Sequence, residues 1–124
     1  MSNVLVVDDD ADIRTLVEFR LTRAGYKVRC EADGEAGIRA AREARPELVI
    51  LDWMMPTMSG LDVCLALRAD RELCTVPVLL LTAKTLEADV EQGLAAGADG
   101  YIVKPFSAGE LLTGVDAAMR QGSR

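Results

Sequence analysis

The sequence predicts an α/β protein built on a doubly wound, five-stranded parallel sheet. Short apolar runs without polar alternation recur along the chain, as expected of strands that helices cover on both faces. Amphipathic or alanine-rich segments of helical length separate these runs. Because such alternation implies right-handed crossovers, the strands should lie parallel, with helices on both sides of the sheet.

In the first half of the chain we expect three strands and two helices. The strands cover residues 3–8, 26–31 and 48–52, and the helices cover 10–24 and the segment between Gly34 and Pro46. Gly25 should end the first helix, and Pro46 limits the second because the residue before a proline avoids the helical region. The face of the first helix with near-helical apolar period should contain Ile13, Leu16, Val17, Phe19, Arg20 and Leu21.

In the second half we expect helices over 61–70 and 87–96, strands over 76–81 and up to residue 103, and a last helix. Pro77 suits the start of the fourth strand, where a missing N–H costs no ladder hydrogen bond. Gly97 should end the fourth helix. Ser107, with Glu110 three residues later, predicts a capping box at the start of the last helix.

Composition predicts one compact domain of 1–121, with 122–124 as a C-terminal tail or the start of a truncated linker. The formal net charge of −6 and the lack of a basic stripe argue against direct binding of nucleic acid or an anionic membrane by this segment. The three cysteines, which we expect to be small buried residues, follow no C-x-x-C spacing, and no leader segment is seen. We therefore expect a cytoplasmic protein.

Charged residues follow three of the predicted strands. Asp8 and Asp9 follow the first, Asp52 ends the third, and Lys104 follows the fifth. Since ligands of parallel sheets bind outside the carboxyl ends of the strands, these groups should meet. Two carboxylates about 4 Å apart repel by roughly 4 kcal/mol at an effective dielectric near 20, so one lysine leaves a need for a hard divalent cation.

These residues and their neighbours resemble the receiver domain of bacterial two-component response regulators, in the CheY-like superfamily. The resemblance covers essentially the whole chain in order and rests on Asp8-Asp9, Asp52-Trp53-Met54-Met55-Pro56, Gly60, Thr82-Ala83, Tyr101 and Lys104-Pro105-Phe106. It implies a (βα)5 fold with the flavodoxin-like strand order 2-1-3-4-5. It also implies a phosphoacceptor switch that catalyses only its own phosphorylation and slow dephosphorylation.

The resemblance assigns roles to individual residues. Asp52 would accept a phosphoryl group from a sensor histidine kinase or a histidine phosphotransfer protein, and this chain, which contains no histidine, cannot supply that donor itself. Asp9, Asp52 and the backbone carbonyl of Met54 would bind Mg²⁺, with Mn²⁺ as a substitute, and Asp8 would act through water. The phosphoryl oxygens would be held by Lys104, Thr82 and Ala83.

The resemblance also implies a switch and an output surface. Phosphorylation would draw Thr82 inward and let Tyr101 turn, which changes the face of the fourth helix, fifth strand and fifth helix toward a downstream protein or a fused output domain. Met54 and Lys84 are expected to slow the attack of water on the phosphorylated site. Trp53 is expected to pack at the surface.

Several alternatives stay open on the sequence. A stand-alone receiver is the leading interpretation, and the N-terminal receiver of a longer transcriptional or other regulator is the second. The chain is expected to be a monomer or a phosphorylation-dependent dimer. Val90, Gly100 and Gly114 stand where winged-helix regulators would have arginine, aspartate and arginine, which argues against the charge-paired dimer of those regulators.

Two unrelated classes also begin with similar acidic motifs. An EF-hand calcium loop beginning at Asp8 would have Ile13 and Phe19 where glycine and glutamate are required. A haloacid-dehalogenase-like phosphatase would use Asp8 as its nucleophile, but the small threonine or valine expected shortly afterwards is absent.

Overall fold

The computed structural model describes residues 2–83 and 87–121, which contain five strands and five helices in strict alternation. The elements are β1 (Asn3–Val7), α1 (Ala11–Arg23), β2 (Lys27–Glu31), α2 (Gly34–Glu43), β3 (Leu48–Asp52), α3 (Gly60–Ala69), β4 (Val78–Thr82), α4 (Glu87–Ala95), β5 (Gly100–Val103) and α5 (Ala108–Gln121). Every predicted element is present. Boundaries differ by one or two residues, and β4 begins after Pro77, which has no N–H for the ladder.

The five strands form one parallel sheet in the order β2-β1-β3-β4-β5, as predicted. The register aligns the carboxyl ends of the central strands. Val7 lies beside Leu51, and Asp52 lies beside Leu81. Thr82 lies beside Val103, the last residue of β5. Consequently, the residues that follow β1, β3, β4 and β5 emerge at one edge of the sheet.

The apolar strand runs are explained by two cores, one on each face of the sheet. Along β1, Leu5 and Val7 join the core under α2 and α3, whereas Val4 and Val6 join the core under α1 and α5. All five residues of β3 and all five of β4 are buried. Since each buried Val or Leu stabilises the fold by about 1.5–3 kcal/mol, both faces of the central strands have to be apolar.

Four of the helices have a side-chain cap at their amino terminus. The Asp10 carboxylate accepts hydrogen bonds from the backbone N–H groups of Asp12 and Ile13 at the start of α1. The predicted capping box is confirmed at α5, where the Ser107 hydroxyl and the Glu110 carboxylate each accept a backbone N–H of the other residue. Asp33 caps α2, and Ser59 caps α3 in a second capping box.

Because α1 begins at Ala11, the twelve-residue calcium loop that would start at Asp8 is absent. Positive φ angles at Gly25 and Gly97, 99° and 110°, mark the turns after α1 and α4.

Three expectations about packing are wrong. Trp53 lies in the core under α4, only 5% exposed, and is not a surface residue. Cys74 is exposed and Cys30 is partly exposed, so only Cys64 is a fully buried thiol. The apolar face of α1 is also narrower than expected, because Phe19 is half exposed and Leu16 is 38% exposed. A hydrophobic period near 3.6 residues predicts a helix, but it does not determine how much of the helix surface packs against the sheet.

Helix α4 is attached to the fold differently from the other helices. Among its residues whose burial is described, only Gly93 is buried. A Cβ atom at Gly93 would lie 2.9 Å from Leu80 Cδ1 and 3.0 Å from Trp53 Cζ3, so the α4 backbone rests directly on these side chains. Beyond its carboxyl end, the Cys64 thiol donates to the Ala96 carbonyl (3.4 Å). Helix α4 is therefore held by backbone contact and by its carboxyl end, with little side-chain burial.

Candidate functional site

Three carboxylates converge at the carboxyl edge of the sheet. One oxygen from each of Asp8, Asp9 and Asp52 lies within 4.8 Å of the others. Asp8 is completely buried, Asp52 is 5% exposed and Asp9 is exposed to solvent. Within residues 2–83 and 87–121, no other group of three metal-ligating side chains is this close. The predicted meeting of these strand ends is therefore observed.

Lys104 supplies the positive charge at this edge. Its backbone N–H donates to the Thr82 carbonyl (2.8 Å), which continues the pairing of β4 with β5 by one residue. Its side chain then extends across β4, so that Nζ lies 3.1 Å from Asp52 Oδ1 and 3.3 Å from Asp8 Oδ2. The Lys104–Pro105 peptide bond is cis. One ammonium group thus bridges the carboxylates of two neighbouring strands.

The surroundings of Asp52 make it a weaker acid than usual. Burial, followed by the negative charge of Asp8, raises the pKa of Asp52 from 3.8 to about 6, against the opposing effect of Lys104. For Lys104, burial alone would lower the pKa, but the hydrogen bond to Asp52 and the two nearby carboxylates raise it. Near neutral pH the edge therefore contains an ionised Asp52 that is costly to keep charged and a firmly protonated lysine.

Asp8 is held on every side by protein groups. Its Oδ1 accepts the Asp10 N–H (2.9 Å), and its Oδ2 faces Lys104. Its backbone N–H donates to the Glu31 carbonyl (3.2 Å). Its own carbonyl accepts a hydrogen bond from Arg14 Nη1 (2.8 Å). Asp8 is thus fixed in the fold, whereas Asp9 beside it faces solvent.

Arg14 was not identified from the sequence, although a signal for it exists. Residues 14, 17 and 21 lie on one stripe of α1, and Val17 and Leu21 are the buried residues of that helix. An arginine at the first position of a buried stripe indicates that a nearby polar group needs a donor. Here that group is the Asp8 carbonyl at the end of β1.

The other predicted site residues lie at varying distances from this cluster. Thr82 is buried (1% exposed) at the end of β4, and Ala83 follows it at the surface. Met54 is 63% exposed, two residues after Asp52. Tyr101 is 43% exposed and lies in register with Leu80, two residues before Thr82. Lys84 lies outside the described residues.

The chemistry of the cluster fits a hard divalent cation. All three converging side chains offer carboxylate oxygens, the ligands that Mg²⁺, Mn²⁺ and Ca²⁺ prefer. Lys104 is the lysine bonded to them, so its single charge leaves the three carboxylates under-compensated when all are ionised. The solvent-exposed Asp9 keeps one side of the cluster open to an ion and its water ligands.

This fold, with an acidic cluster and a lysine at the carboxyl edge of a 2-1-3-4-5 sheet, defines a class of signalling proteins. The family model of the response regulator receiver domain matches residues 4–116. The chain therefore belongs to the response regulator receiver family, a signalling family and not a class of conventional enzymes. This family assignment argues against the alternative interpretation as a haloacid-dehalogenase-like phosphatase.

Individual relatives agree with this assignment. The chain is 42% identical over 124 residues to the transcriptional regulatory protein AfsQ1 of Streptomyces coelicolor, covering all of this chain and 54% of AfsQ1. It is 47% identical over 118 residues to the DNA-binding response regulator MtrA of Mycobacterium tuberculosis, covering 95% of this chain and 50% of MtrA. The chain thus spans about half the length of these relatives.

A solved structure shows the same architecture. The chemotaxis response regulator CheY4 of Vibrio cholerae superposes with a TM-score of 0.91 and 37% sequence identity, covering 95% of this chain and 98% of CheY4. Among the described residues, no helix is both long and apolar enough to cross a membrane.

Proposed function

We propose that this chain is a phosphoacceptor switch in which Asp52 accepts a phosphoryl group from the phosphohistidine of a sensor histidine kinase or histidine phosphotransfer protein. One observation carries the proposal: Asp52 combines two neighbouring carboxylates within 4.8 Å with an ammonium group 3.1 Å away. Membership of the receiver family supports the same function. The chain contains no histidine, so the donor is another molecule.

In the proposed reaction, a carboxylate oxygen of Asp52 attacks phosphorus and forms an acyl phosphate. The bond between phosphorus and the imidazole nitrogen of the donor breaks, and its electron pair stays on that nitrogen. With a pKa of about 6, Asp52 is largely ionised at neutral pH and is available as the nucleophile. Lys104 would then move its ionic contact to a phosphoryl oxygen, and Thr82 and the Ala83 N–H would donate to the others.

Mg²⁺ would be held by Asp9, Asp52 and the backbone carbonyl of Met54, with Mn²⁺ as a substitute. Asp8 would act through a water molecule, and this division is supported by its contacts. Both Asp8 carboxylate oxygens already accept protein donors, whereas Asp9 is exposed. When bound, the cation supplies positive charge that offsets the negative charge of the transferring phosphoryl group.

Phosphorylation would act on the output surface through Thr82 and Tyr101. The added charge favours Thr82 turned toward the phosphoryl group, and Tyr101 would then move inward from its exposed position. This would change the face formed by α4, β5 and α5. An open groove of about 590 Å³ already runs along that face between β5 and α5, lined in part by Tyr101, Val103 and Gly114.

The proposed lifetime of the phosphorylated state is long. Met54 follows Asp52 by two residues in the sequence, and Lys84 follows Thr82 by two. We infer that an apolar and a cationic residue at these sequence positions orient the attacking water less well than an acidic or amide residue would. We expect a Met54→Asn, Lys84→Glu double variant to lose phosphate faster than the wild-type protein after removal of the donor. Equal rates in the two proteins would contradict this part of the proposal.

We favour a cytoplasmic stand-alone receiver of residues 1–121, monomeric or dimerising on phosphorylation, that signals to a downstream protein. A longer regulator is the second candidate, because AfsQ1 and MtrA are about twice as long. The charged dimer of winged-helix regulators is less compatible with this chain. A Cβ atom at Gly114 would lie 2.7 Å from Ile102 Cδ1, so a side chain at this position would require Ile102 to move.

The direct test uses acetyl phosphate with and without Mg²⁺, followed by intact mass measurement and borohydride trapping of the acyl phosphate. We expect one phosphoryl group, at Asp52, only when Mg²⁺ is present. Asp52→Asn is the matched control and should not be labelled. Absence of labelling in wild-type protein that demonstrably binds Mg²⁺ would overturn the proposed function.

A further inference from the structure

We propose that Arg14 is a positioning residue for the divalent cation site, acting through the Asp8 carbonyl on the orientation of Asp9. The inference rests on the proposed Mg²⁺ site and goes further, because it identifies what holds the exposed ligand in place. Arg14 is not one of the proposed ligands of the phosphoryl group or the cation. Its relevant atom is Nη1, 2.8 Å from the Asp8 carbonyl oxygen in a partly buried contact.

The position of this hydrogen bond explains its importance. β1 ends at Val7, and the N–H of Asp8 makes one further bond to the neighbouring strand, to the Glu31 carbonyl. From Asp8 onward the chain leaves the sheet to enter α1. Arg14, one turn into α1, reaches back to the carbonyl at this exit point. The hydrogen bond from Arg14 thus holds the backbone in place one residue beyond the end of β1.

A hydrogen bond that fixes the Asp8 carbonyl also restrains the backbone of Asp9, because the two residues share one peptide unit. The peptide unit between the two residues is planar, so fixing the Asp8 oxygen also fixes the N–H of Asp9 and the plane from which its Cα projects. The Asp8 side chain cannot rotate to compensate, because Asp10 and Lys104 hold its two oxygens. Asp9 is the solvent-exposed member of the cluster, so its direction depends most on its backbone.

A purely electrostatic role for Arg14 predicts the opposite result. A positive charge beside a dication site repels the ion, so its removal should tighten Mg²⁺ binding. Loss of a positioning contact should weaken binding, since residues that orient metal ligands typically contribute about tenfold or more to affinity. The sign of the change therefore separates the two roles.

The experiment measures Mg²⁺ affinity of the whole chain by calorimetry and by the fluorescence of Trp53, its single tryptophan. We expect Arg14→Met to weaken Mg²⁺ binding by about tenfold. Arg14→Lys, which keeps a donor and the charge, should recover much of the affinity. The matched control is Arg45→Met, which removes another arginine-to-carbonyl bond, to Glu72 at 2.9 Å, from the segment that connects α2 with β3, outside the acidic cluster. It should leave Mg²⁺ affinity unchanged.

A second readout separates positioning from general loss of structure. At saturating Mg²⁺, the labelling rate of Arg14→Met with acetyl phosphate should return close to the wild-type rate, while half-saturation requires about tenfold more Mg²⁺. Unchanged or tighter Mg²⁺ binding by Arg14→Met overturns the inference. If that variant does not fold, Arg14→Gln carries the same test, because its shorter side chain lacks the guanidinium that reaches the Asp8 carbonyl. Unchanged or tighter Mg²⁺ binding by Arg14→Gln again overturns the inference. Failure of the wild-type chain to bind Mg²⁺ would instead overturn the proposed function.

Discussion

The Asp52 carboxyl group combines two requirements that oppose each other. It has to be buried so that Lys104 and the neighbouring carboxylates surround it, yet it has to be ionised to bind a cation or attack phosphorus. Burial and the charge of Asp8 raise its pKa to about 6, and Lys104 limits that rise. The group is therefore close to its titration range at the pH where the protein is expected to work.

The raised pKa predicts the pH dependence of cation binding. Above pH 6 Asp52 is mostly ionised and would be available to the proposed Mg²⁺ ion, whereas below pH 6 its carboxyl group is mostly protonated. Since one proton has to leave for each ion bound, we expect the apparent affinity to fall by about tenfold per pH unit below 6 and to level off above 7. Calorimetric titrations at half-unit steps from pH 5 to 8 test this. An affinity that is constant down to pH 5 would show that Asp52 is an ordinary acid.

At the scale of elements, the attachment of α4 at Gly93 links this helix to the segment that contains Asp52. Among the α4 residues whose burial is described, Gly93 is the buried one, and it lies against Leu80 and the indole ring of Trp53. Trp53 follows Asp52 directly in the chain, so the same short segment carries the proposed phosphoacceptor and the surface on which α4 rests. A shift of this segment would therefore move the Trp53 ring and, through it, displace α4.

Gly93→Ala tests this contact. Alanine normally stabilises a helix interior by about 1 kcal/mol relative to glycine, but here its Cβ would overlap Leu80 and Trp53. We expect the overlap to dominate, with a decrease of about 1 kcal/mol in the free energy of unfolding and a change in Trp53 emission.

Gly109→Ala in α5 is the matched control for that substitution. The nearest atom to the added methyl group would be the Ser107 hydroxyl oxygen, 3.8 Å away, so no overlap arises. We expect a gain of about 0.5 kcal/mol and unchanged tryptophan emission. A similar gain for Gly93→Ala would show that α4 is not in close contact with the indole ring.

The elements differ in how far the sequence determines them. The strands were predictable because parallel strands buried on both faces have to be apolar throughout, and the meeting of Asp8, Asp9, Asp52 and Lys104 follows from the strand order. The burial of Trp53 was not predictable, because it depends on a glycine forty residues later that lets α4 approach. The contact of Arg14 with Asp8 was also missed, because the place of Arg14 on the stripe of Val17 and Leu21 does not tell which polar group its side chain reaches.

Across the whole molecule, Arg68 joins segments that are distant in the chain. Its guanidinium donates to the Gly97 carbonyl (2.7 and 3.0 Å), to Val76 (2.7 Å) and to Asp99 (3.0 Å), whose side chain is 3% exposed. Asp99 in turn accepts the backbone N–H of Val78 at the start of β4. One arginine of α3 thus ties the entrance of β4 to the turn between α4 and β5.

Arg68→Met should destabilise the whole domain. It would remove the ion pair with the buried Asp99 carboxylate and the hydrogen bonds to three carbonyl groups, those of Gly97, Val76 and Cys74. We therefore expect a loss of about 3 kcal/mol in the free energy of unfolding, measured by urea denaturation. The matched variant Arg42→Met removes an ion pair with Asp70 in which the arginine is 58% exposed. Its effect should be much smaller. Similar losses in the two variants would contradict the central role of Arg68.

The way α4 is attached has a consequence for how such a chain can diverge. Among the residues of α4 whose burial is described, one glycine is buried, and Ala88, Glu91, Gln92, Leu94 and Ala95 are exposed and so under weak packing constraints. Substitutions along that surface would therefore change what the helix recognises at little cost to folding. Duplicated copies of a gene encoding this fold could acquire new binding preferences at α4, while the acidic edge of the sheet stays the same.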